Sequence, residues 1–428
     1  MERMAKKAIV LGLTAGLAGL LAAGNAASKA GRESPVTFNK DVAPILAKNC
    51  QGCHRPGEAA PMSLLTYQEA RPWAKAIREA VILKRMPPWY ADPHFGKFAN
   101  DRSLSQSDID TLVAWADGGA VEGDPGKAAQ PARFVDGWNI GTPDLVLEMV
   151  DEYQVPATGT IKYEYFSIPT KFTEDKWVRM AEVRPGNRAL VHHVIAFVKA
   201  PRKPGEDEKA KRATEFLVGY APGSVPEVME PGRAKLIKAG SEIEFQVHYT
   251  ANGTAGVDRS KVGLIFAKEP PRERVITLSA SNNKFVIPAG AANHEVESRF
   301  ELRSDATLTM LFPHMHLRGK DFEYRIALPG GEKQTLLKVP NYSFSWQLSY
   351  NLAQPMQLPK GSVIECTAHF DNSANNKYNP DPTKEVRHGD QSWEEMMIGF
   401  FNVAFDAKMP LKNLFPESKE EKKKAGGD

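Results

Sequence analysis

The chain has 428 residues, of which 42% are hydrophobic and 25% are charged, an ordinary composition for a globular protein with room for two or three domains. The formal net charge is +3, so no basic excess argues for a nucleic-acid partner. The sequence contains no phosphate-binding loop of the GxxxxGK[ST] or GxGxxG type and no GxSxG motif, which leaves nucleotide-dependent enzymes and serine hydrolases without support.

The N-terminal residues 1–26 are predicted to be a secretory signal peptide. Arg3, Lys6 and Lys7 precede a short apolar run from residue 8 to residue 23, and small residues follow it. The run is too short for a comfortable transmembrane helix, so no membrane span is expected once the signal is cleaved. An uncleaved anchor is the alternative. In either case we expect the folded part outside the cytoplasm, in the periplasm or secreted.

Cysteine usage is sparse, and only Cys50, Cys53 and Cys366 are present, too few for a disulfide framework. The first two lie in CQGCH, which ends at His54. C-x-x-C-H is the attachment motif of c-type haem, in which both thiols bind the vinyl groups and the histidine ligates the iron. A redox C-x-x-C or half of a zinc site is the alternative, but no βαβ pattern and no further nearby zinc ligands accompany the motif. One covalent haem c is therefore predicted.

Helices are predicted on both sides of this motif. Apolar residues at helical spacing occur between residues 38 and 49, and again in the segment SLSQSDIDTLVAWADGG. In the second segment Ser105 and Asp108 have capping-box spacing, and Gly118 stands at the end. This region, residues 35–124, resembles a small class I cytochrome c domain.

A domain of that kind implies a methionine as the sixth ligand of the haem iron. Met86 stands in KRMPPWYADP, where two prolines and Trp89 make a rigid loop. Met62, in APMSLL, is the other candidate. We favour Met86 because a rigid loop suits a fixed ligand.

The composition changes after a polar segment, residues 125–140, which is predicted to be a linker. Short apolar runs then alternate with Gly, Pro, Asn and Asp turns, so the region is predicted to be all-β. It is too long for one ordinary sandwich; two are expected, residues 141–269 and 272–410, joined at Pro270 and Pro271. Residues 411–428 are predicted to be a charged, disordered tail. The apolar runs read DLVLEMV, KWVRMAEV, LVHHVIAFV, SEIEFQVHYT, KVGLIFA, VITLSA, TLTMLF, FEYRIAL and SVIECTAHF.

Two histidines in FPHMHLRG, His314 and His316, are separated by one residue. In extended backbone both side chains point to one face, with Cα atoms roughly 6.6–7 Å apart, so both imidazoles can bind one ion. Packed or solvated histidines are the alternative. The spacing beside a strand end favours a metal pair.

Three more histidines lie in predicted strands. In VHHVIAF, His192 and His193 are adjacent, and neighbouring side chains of a strand point to opposite faces. In SEIEFQVHYT, His248 lies opposite the apolar face of its strand. Taken alone, His248 is equally well explained as a surface residue or as a ligand facing a cavity.

The order of these motifs is informative. The chain has four motifs in this order: adjacent histidines, QVHY, HMH and EEMMIGF. In this order of motifs it resembles the copper type II, ascorbate-dependent monooxygenases, the family of peptidylglycine α-hydroxylating monooxygenase and dopamine β-monooxygenase. The resemblance covers about residues 141–407. It implies two jelly-roll-like sandwiches, each with one copper. The whole chain is then expected to be multidomain, with a small all-α cytochrome c domain followed by an all-β double jelly-roll sandwich.

The resemblance assigns one copper to His192, His193 and His248. Both members of the adjacent pair then bind the same ion. The strand alternation must therefore be broken locally, by twist or by a β-bulge.

The second copper is assigned by the resemblance to His314, His316 and a methionine. Met396 follows Glu395, as the family's methionine follows an acidic residue, and is preferred. A slip of one residue would make Met397 the ligand instead.

The resemblance also implies a function. A thioether ligand favours Cu(I), the state that binds O₂, so the site of His314, His316 and Met396 is expected to be catalytic, and the all-histidine site to store and deliver an electron. The expected protein is a haem- and copper-dependent monooxygenase that hydroxylates a C–H bond of a small organic substrate with O₂. The haem, reduced by an external donor, supplies electrons to copper. A non-hydroxylating electron-transfer or copper-binding protein is the alternative.

The chain departs from the peptide-amidating members of that family. Their clamp for a substrate carboxylate corresponds in position to Phe312, Ile398 and Phe400, none of which can bind an anion. A peptidyl-glycine substrate is therefore not expected, and the surroundings of the methionine site are predicted to be apolar and aromatic.

Overall fold

The structure is a computed structural model that describes residues 35–58, 60–127, 134, 137–202, 205, 212 and 214–415. The predicted signal peptide, residues 1–26, lies outside the described residues. The chain from Val36 onward forms one unit. Within the described ranges, no helix is both long enough and apolar enough to cross a membrane.

Short helices make up the first part of the described chain. They are a π-helical turn Phe38–Val42, α1 Ala43–Asn49, α2 Tyr67–Ala70, a 3₁₀ turn Arg71–Trp73, α3 Ala74–Ile82, α4 Gln106–Asp117 and a 3₁₀ turn Pro125–Lys127. A further 3₁₀ turn, Leu411–Leu414, lies near the end of the described chain. Helix α4 begins after Ser105, whose hydroxyl accepts a hydrogen bond from the backbone N–H of Asp108 at 3.1 Å. Leu46, Leu112 and Trp115 are fully buried in a core that these helices share. Both segments with predicted helical spacing are thus helical.

Strands make up most of the remaining chain. They are β1 Leu145–Glu148, β2 Tyr153–Val155, β3 Glu164–Pro169, β4 Lys176–Arg184, β5 Val191–Lys199, β6 Thr214–Tyr220, β7 Glu227–Val228, β8 Arg233–Ile237, β9 Glu242–Tyr249, β10 Gly256–Asp258, β11 Lys261–Phe266, β12 Glu273–Asn282, β13 Val286–Ile287, β14 His294–Glu301, β15 Ala306–His314, β16 Gly319–Ala327, β17 Lys333–Val339, β18 Tyr350–Leu358, β19 Val363–Phe370, β20 Val386–Arg387 and β21 Met397–Asp406. Each of the nine apolar runs contributes a strand, so the predicted all-β character of this region is confirmed.

Three large sheets build a pair of β-sandwiches. One long sheet has the order β1-β11-β4-β8-β12-β21-β15-β18, and β7 pairs with β4 at its side. The four-stranded sheet β3-β9-β5-β6 faces the first half of the long sheet, and the four-stranded sheet β14-β19-β16-β17 faces the second half. Strands β8 and β12 pair in parallel, so the long sheet passes through both sandwiches without a break.

Each sandwich has its own hydrophobic core. The first contains Val194, Phe245 and Leu264, and its buried residues run from Met149 to Leu264. The second core begins at Ile276 and continues to the end of β21 and slightly beyond. Alternation explains the burial: in β9 every second residue is buried, as its sequence EIEFQVHY requires.

The first residues of the predicted disordered tail are ordered. Leu411–Leu414 form a 3₁₀ turn, and Leu414 is completely buried in the second core. The expectation of disorder came from the charged residues that follow, and it overlooked an apolar residue that can pack. Residues 416–428 lie outside the described residues.

Candidate metal centres

Strands β5 and β9 bring three histidines together. His193 pairs directly with His248, so both side chains lie on the same face of the sheet. The register shifts between Val191 and His193, and His192 is the extra residue of this β-bulge. The bulge supplies the break in alternation that a shared ligand set requires. One ring nitrogen from each of the three histidines lies within 4.8 Å of the others.

The ring nitrogens of this group are available as ligands. The Nδ1 atoms of His192 and His193 are 3.2 Å apart, and the Nδ1 of His248 is buried without a hydrogen-bond partner. Burial lowers the pKa of His192 to about 4 and the pKa of His248 to about 3. Burial, followed by the neighbouring histidines, holds the pKa of His193 well below its ordinary value. The three rings are therefore neutral at neutral pH, the form of imidazole that binds metals.

Aromatic rings enclose the group. The ring centroid of Tyr163 is 4.9 Å from that of His248 and 5.4 Å from that of His193. Phe344 stacks on His192 with a centroid distance of 5.0 Å and an interplanar angle of 17°. Ser392 Oγ is 3.4 Å from Nε2 of His248. The packing leaves the imidazoles few orientations.

The HMH segment forms a second histidine group at the end of β15. The ring centroids of His314 and His316 are 5.2 Å apart. Nδ1 of His316 is 3.2 Å from the backbone carbonyl oxygen of Glu394, which can only accept, so this nitrogen carries the proton. Nε2 of His316 then carries the lone pair, and it is buried without a partner. That free nitrogen fits a metal ligand.

His314 is fixed in a similar way. Its Nδ1 is 2.7 Å from Oε1 of Gln347, which leaves Nε2 as the nitrogen with the lone pair. Burial lowers the pKa of His314 to about 4 and the pKa of His316 to about 3, so both rings are neutral at neutral pH. A side-chain or carbonyl oxygen behind a ligating histidine is the usual way to orient its ring.

The two candidate methionines lie on different faces. Met397 exposes none of its surface and belongs to the second core. Ile398 in β21 pairs with His314 in β15, so these two side chains share the opposite face. Met396 is two residues before Ile398, partly exposed, and by alternation faces the same side as His314. The structure places Met397 in the core, and alternation continued one residue beyond β21 favours Met396 for the histidine face.

Glu395 holds the backbone of the HMH segment in place through hydrogen bonds. Its carboxylate accepts hydrogen bonds from the backbone N–H of His316 at 2.8 Å and of Arg318 at 2.6 Å. Complete burial raises the pKa of Glu395 to about 8, against the lowering effect of those bonds. The sequence offered Glu395 only as a marker of register, whereas in the structure it sets the backbone of the HMH segment.

The two histidine groups lie close together in space. The Phe344 ring is 5.0 Å from His192 and 5.9 Å from His316, centroid to centroid, and therefore contacts both groups. Sequence reasoning missed Phe344 and Gln347 because neither belongs to a strand or a motif. The available signal was the aromatic sequence NYSFSWQLSY in a stretch without strand alternation.

An apolar pocket opens beside the first group. His193, Ile195, Phe216, Val218 and Phe312 contribute to its lining, and Gln347 connects it to the second group. The predicted aromatic surroundings are present, since Phe312 stacks on Phe400 at 5.7 Å and 25°.

The C-x-x-C-H motif forms a tight turn after α1. The backbone N–H groups of Cys53 and His54 both donate to the carbonyl of Cys50, at 3.0 Å and 2.9 Å. Both thiols are free, and burial raises the pKa of Cys50 to about 12 and raises the pKa of Cys53. Nδ1 of His54 is buried without a hydrogen-bond partner, and burial lowers the pKa of the ring. Two free thiols and a neutral histidine on one turn fit covalent haem attachment.

The candidate axial methionines are in different places. Met86 lines a large pocket together with Val81, Trp89 and Ile109. Met62 packs on the core of residues 36–127, the region that carries the helices and that we refer to as the helical part. Among the described residues, Cys50, Cys53 and His54 do not line the pocket of Met86. His54 instead makes a hydrogen bond to the backbone of Met62, so the structure places Met62 beside the motif.

The motif borders the first sandwich. The carboxylate of Glu58 is 3.1 Å from Arg55 and 3.9 Å from Arg184, and it also contacts Arg188. Tyr220, which pairs with Val194 in β5, interacts electrostatically with Cys53 and lines the pocket beside His193. The C-x-x-C-H motif therefore borders the same sandwich that carries the first histidine group.

Comparison with known proteins gives little. No family model matches this chain, and no curated protein does. Among solved structures, similarity is found to the major capsid protein P2 of bacteriophage PM2, with 9% identity, TM-score 0.27, and coverage of 62% of this chain and 98% of the other. A structure of infectious bursal disease virus, Gx strain, shares 7% identity at TM-score 0.21, covering 64% of this chain and 75% of that one. PNGF-II shares 8% identity at TM-score 0.27, covering 62% and 65%. These scores are too low to bear on function.

Proposed function

We propose that this chain is an exported copper-dependent monooxygenase with a fused c-type cytochrome. The observation that carries the proposal is that two groups of buried or partly buried neutral histidines, each with a ring nitrogen free for a metal, both contact Phe344. Metal-binding nitrogens are costly to bury without a partner, so two such groups side by side indicate ligands.

The residues fall into two ligand sets. His192, His193 and His248 would hold one copper, and His314, His316 and Met396 the second. When bound, copper supplies one-electron redox chemistry, and the thioether favours the Cu(I) state that binds O₂. The chain keeps the imidazoles neutral by burial, holds the Nδ1 proton of His316 on the carbonyl of Glu394, and holds that of His314 on Gln347.

The pocket suggests the class of substrate. Its lining is largely apolar and aromatic, and the equivalents of the carboxylate clamp are Phe312, Ile398 and Phe400. Such walls exclude water from the neighbourhood of the metals and favour a small, largely apolar organic molecule. A carboxylate terminus would find no Lys or Arg partner among the lining residues.

The helical part would serve as a class I cytochrome c. Cys50 and Cys53 would attach one haem, with His54 and Met86 as axial ligands, and an external donor would reduce it. When bound, the haem supplies a one-electron carrier. The predicted export supports this assignment, because haem is attached to C-x-x-C-H outside the cytoplasm.

The test combines metal analysis with isotope incorporation. The exported, mature protein should contain one haem that stays with the denatured chain, and up to two coppers after loading. With isotopically heavy O₂ and a panel of small apolar alcohols and hydrocarbons, the product should gain one heavy oxygen atom. Copper and haem without any oxygen incorporation, and without faster O₂ consumption on adding a substrate, would favour the electron-transfer alternative. If the protein contains no copper after incubation with copper, both the monooxygenase and the copper-binding alternative are excluded.

A further inference from the structure

The segment that joins β17 to β18, residues 340–349, contacts four of the five candidate histidines. Gln347 bonds to His314 at 2.7 Å. The Phe344 ring is 5.0 Å from His192, 6.0 Å from His248 and 5.9 Å from His316. We refer to residues 340–349 as the β17–β18 segment.

The same segment also fixes the backbone between the HMH histidines. The hydroxyl of Tyr342 accepts a hydrogen bond from the N–H of Met315 at 3.0 Å and donates one to its carbonyl at 2.7 Å. Met315 is the residue between His314 and His316. The hydroxyl is thus bonded on both sides, which holds the HMH turn at a fixed distance from the segment.

The β17–β18 segment is irregular, and the helical part braces it. The side chain of Asn100 donates to the carbonyl of Ser349 at 2.9 Å and accepts from the N–H of Asn351 at 2.9 Å. Tyr90 bonds to Ser343 through its hydroxyl. These contacts reach the middle of the segment and its C-terminal end.

Further contacts make the brace rigid. The N–H of Ala99 donates to Asn351 at 2.8 Å, and the N–H of Ala353 donates to Lys97 at 2.8 Å, so the helical part adds a short stretch of antiparallel pairing to β18. The N–H of Asp92 donates to the carbonyl of Lys338 at 2.8 Å, just before the segment. Trp89 packs on Tyr350, which follows the segment directly, with ring centroids 4.9 Å apart. The segment is held at both ends.

We propose that the β17–β18 segment is a positioning element for both histidine groups, and that the helical part holds it in place. Gln347 and Phe344 are its positioning residues: the first sets the tautomer and orientation of His314, and the second fixes His192 and keeps the two groups apart. The inference rests on the proposed function, because positioning matters only if these histidines bind metals. The arrangement of the rings itself is a property of the metal-free chain.

The experiment uses the full-length protein with copper(II) as the probe. Gln347→Leu should weaken copper at the His314 site by about 10–100-fold, the usual effect of losing the partner behind a ligating histidine. Gln347→Glu, which keeps an acceptor for the ring N–H, should restore it. Phe344→Ala should weaken copper at the three-histidine site. Asn100→Ala should weaken both sites several-fold. The control is Asn293, an exposed asparagine that accepts a hydrogen bond from Lys320, and Asn293→Ala should weaken neither site.

A second readout needs no metal. Nitrogen NMR of the imidazoles should show His314 as a single Nδ1–H tautomer in the metal-free wild type and in Asn293→Ala. Gln347→Leu should lose that signature, and Asn100→Ala should shift the signals of His192 and His314. Tyr90→Phe, which removes only the hydroxyl bonded to Ser343, replaces Asn100→Ala if the latter fails to melt cooperatively.

The outcomes separate the two proposals. If the wild type binds no copper, the proposed function fails, and the imidazole spectra still decide the positioning role. Spectra and copper affinities of Asn100→Ala and Gln347→Leu that match the wild type would overturn the positioning role, whatever the metal does.

Discussion

Adjacent methionines with opposite surroundings give a sharp test of the second metal site. Met397 is fully buried in the second core, so Met397→Ala should lower the free energy of unfolding by about 2–5 kcal/mol through lost burial and the cavity left behind. Met396 is partly exposed on the histidine face, and Met396→Ala should cost only about 1 kcal/mol or less.

The order of effects reverses for metal binding. Met396→Ala removes the proposed thioether ligand of the site of His314 and His316 and should raise the dissociation constant for copper(I) at that site at least about tenfold, equivalent to about 1.4 kcal/mol. Met397→Ala should leave that constant unchanged. Guanidinium unfolding followed by circular dichroism gives the first quantity, and competition with a copper(I) chelator gives the second.

The pair of variants controls for itself, because both remove the same side chain at neighbouring positions. If Met397→Ala loses copper(I) while Met396→Ala keeps it, the ligand register is off by one residue. If neither variant changes copper(I) affinity, neither Met396 nor Met397 belongs to the site, and the argument that connects their thioether to O₂ chemistry is lost.

Three further predictions follow from particular contacts. His248→Ala should remove one copper per chain and leave the copper(I) affinity of the His314 site intact, as measured by metal analysis and chelator competition; loss of both coppers would mean that the groups are not separate sites. Leu414→Ala should lower the free energy of unfolding by about 2–5 kcal/mol, because Leu414 is completely buried, and an unchanged denaturation midpoint would return residue 414 to the disordered tail. Replacing Cys50 and Cys53 together by serine should make the haem extractable with acidified acetone, whereas haem that stays on the chain would refute attachment at this motif.

Much of the fold could be predicted from the sequence because strand alternation is a local property. EIEFQVHY buries every second residue in β9, as its pattern requires. Helix α4 begins directly after Ser105 because a hydroxyl there can satisfy a backbone N–H of the first turn, and that too is local. The continuous sheet through both sandwiches could not be predicted. It depends on the parallel pairing of β8 with β12, in which Glu273 lies opposite Arg233, and these residues are distant in sequence and carry no motif.

The same distinction applies to the candidate site. The HMH spacing is enough to bring His314 and His316 to one place, and they are found 5.2 Å apart. The convergence of His192 and His193 is not visible in their own strand, because the bulge exists only relative to β9, where His193 pairs with His248 and His192 has no opposite residue. A register is a relation between two strands, and a single segment does not contain it.

Rigid strands carry most of the candidate ligands, whereas the spacing of the two groups depends on one irregular segment. Strands hold side chains accurately, and a site needs its residues fixed to within about 0.5 Å. The β17–β18 segment has no ladder of its own, so its accuracy has to come from elsewhere. Asn100 and Tyr90, from a part of the chain that carries none of the candidate copper ligands, supply hydrogen bonds at its end and at its middle. The helical part therefore stabilises the β17–β18 segment whether or not electrons pass through it. Variants such as Asn100→Ala remove this support without changing a candidate ligand, so they separate the positioning role from the electron-transfer role.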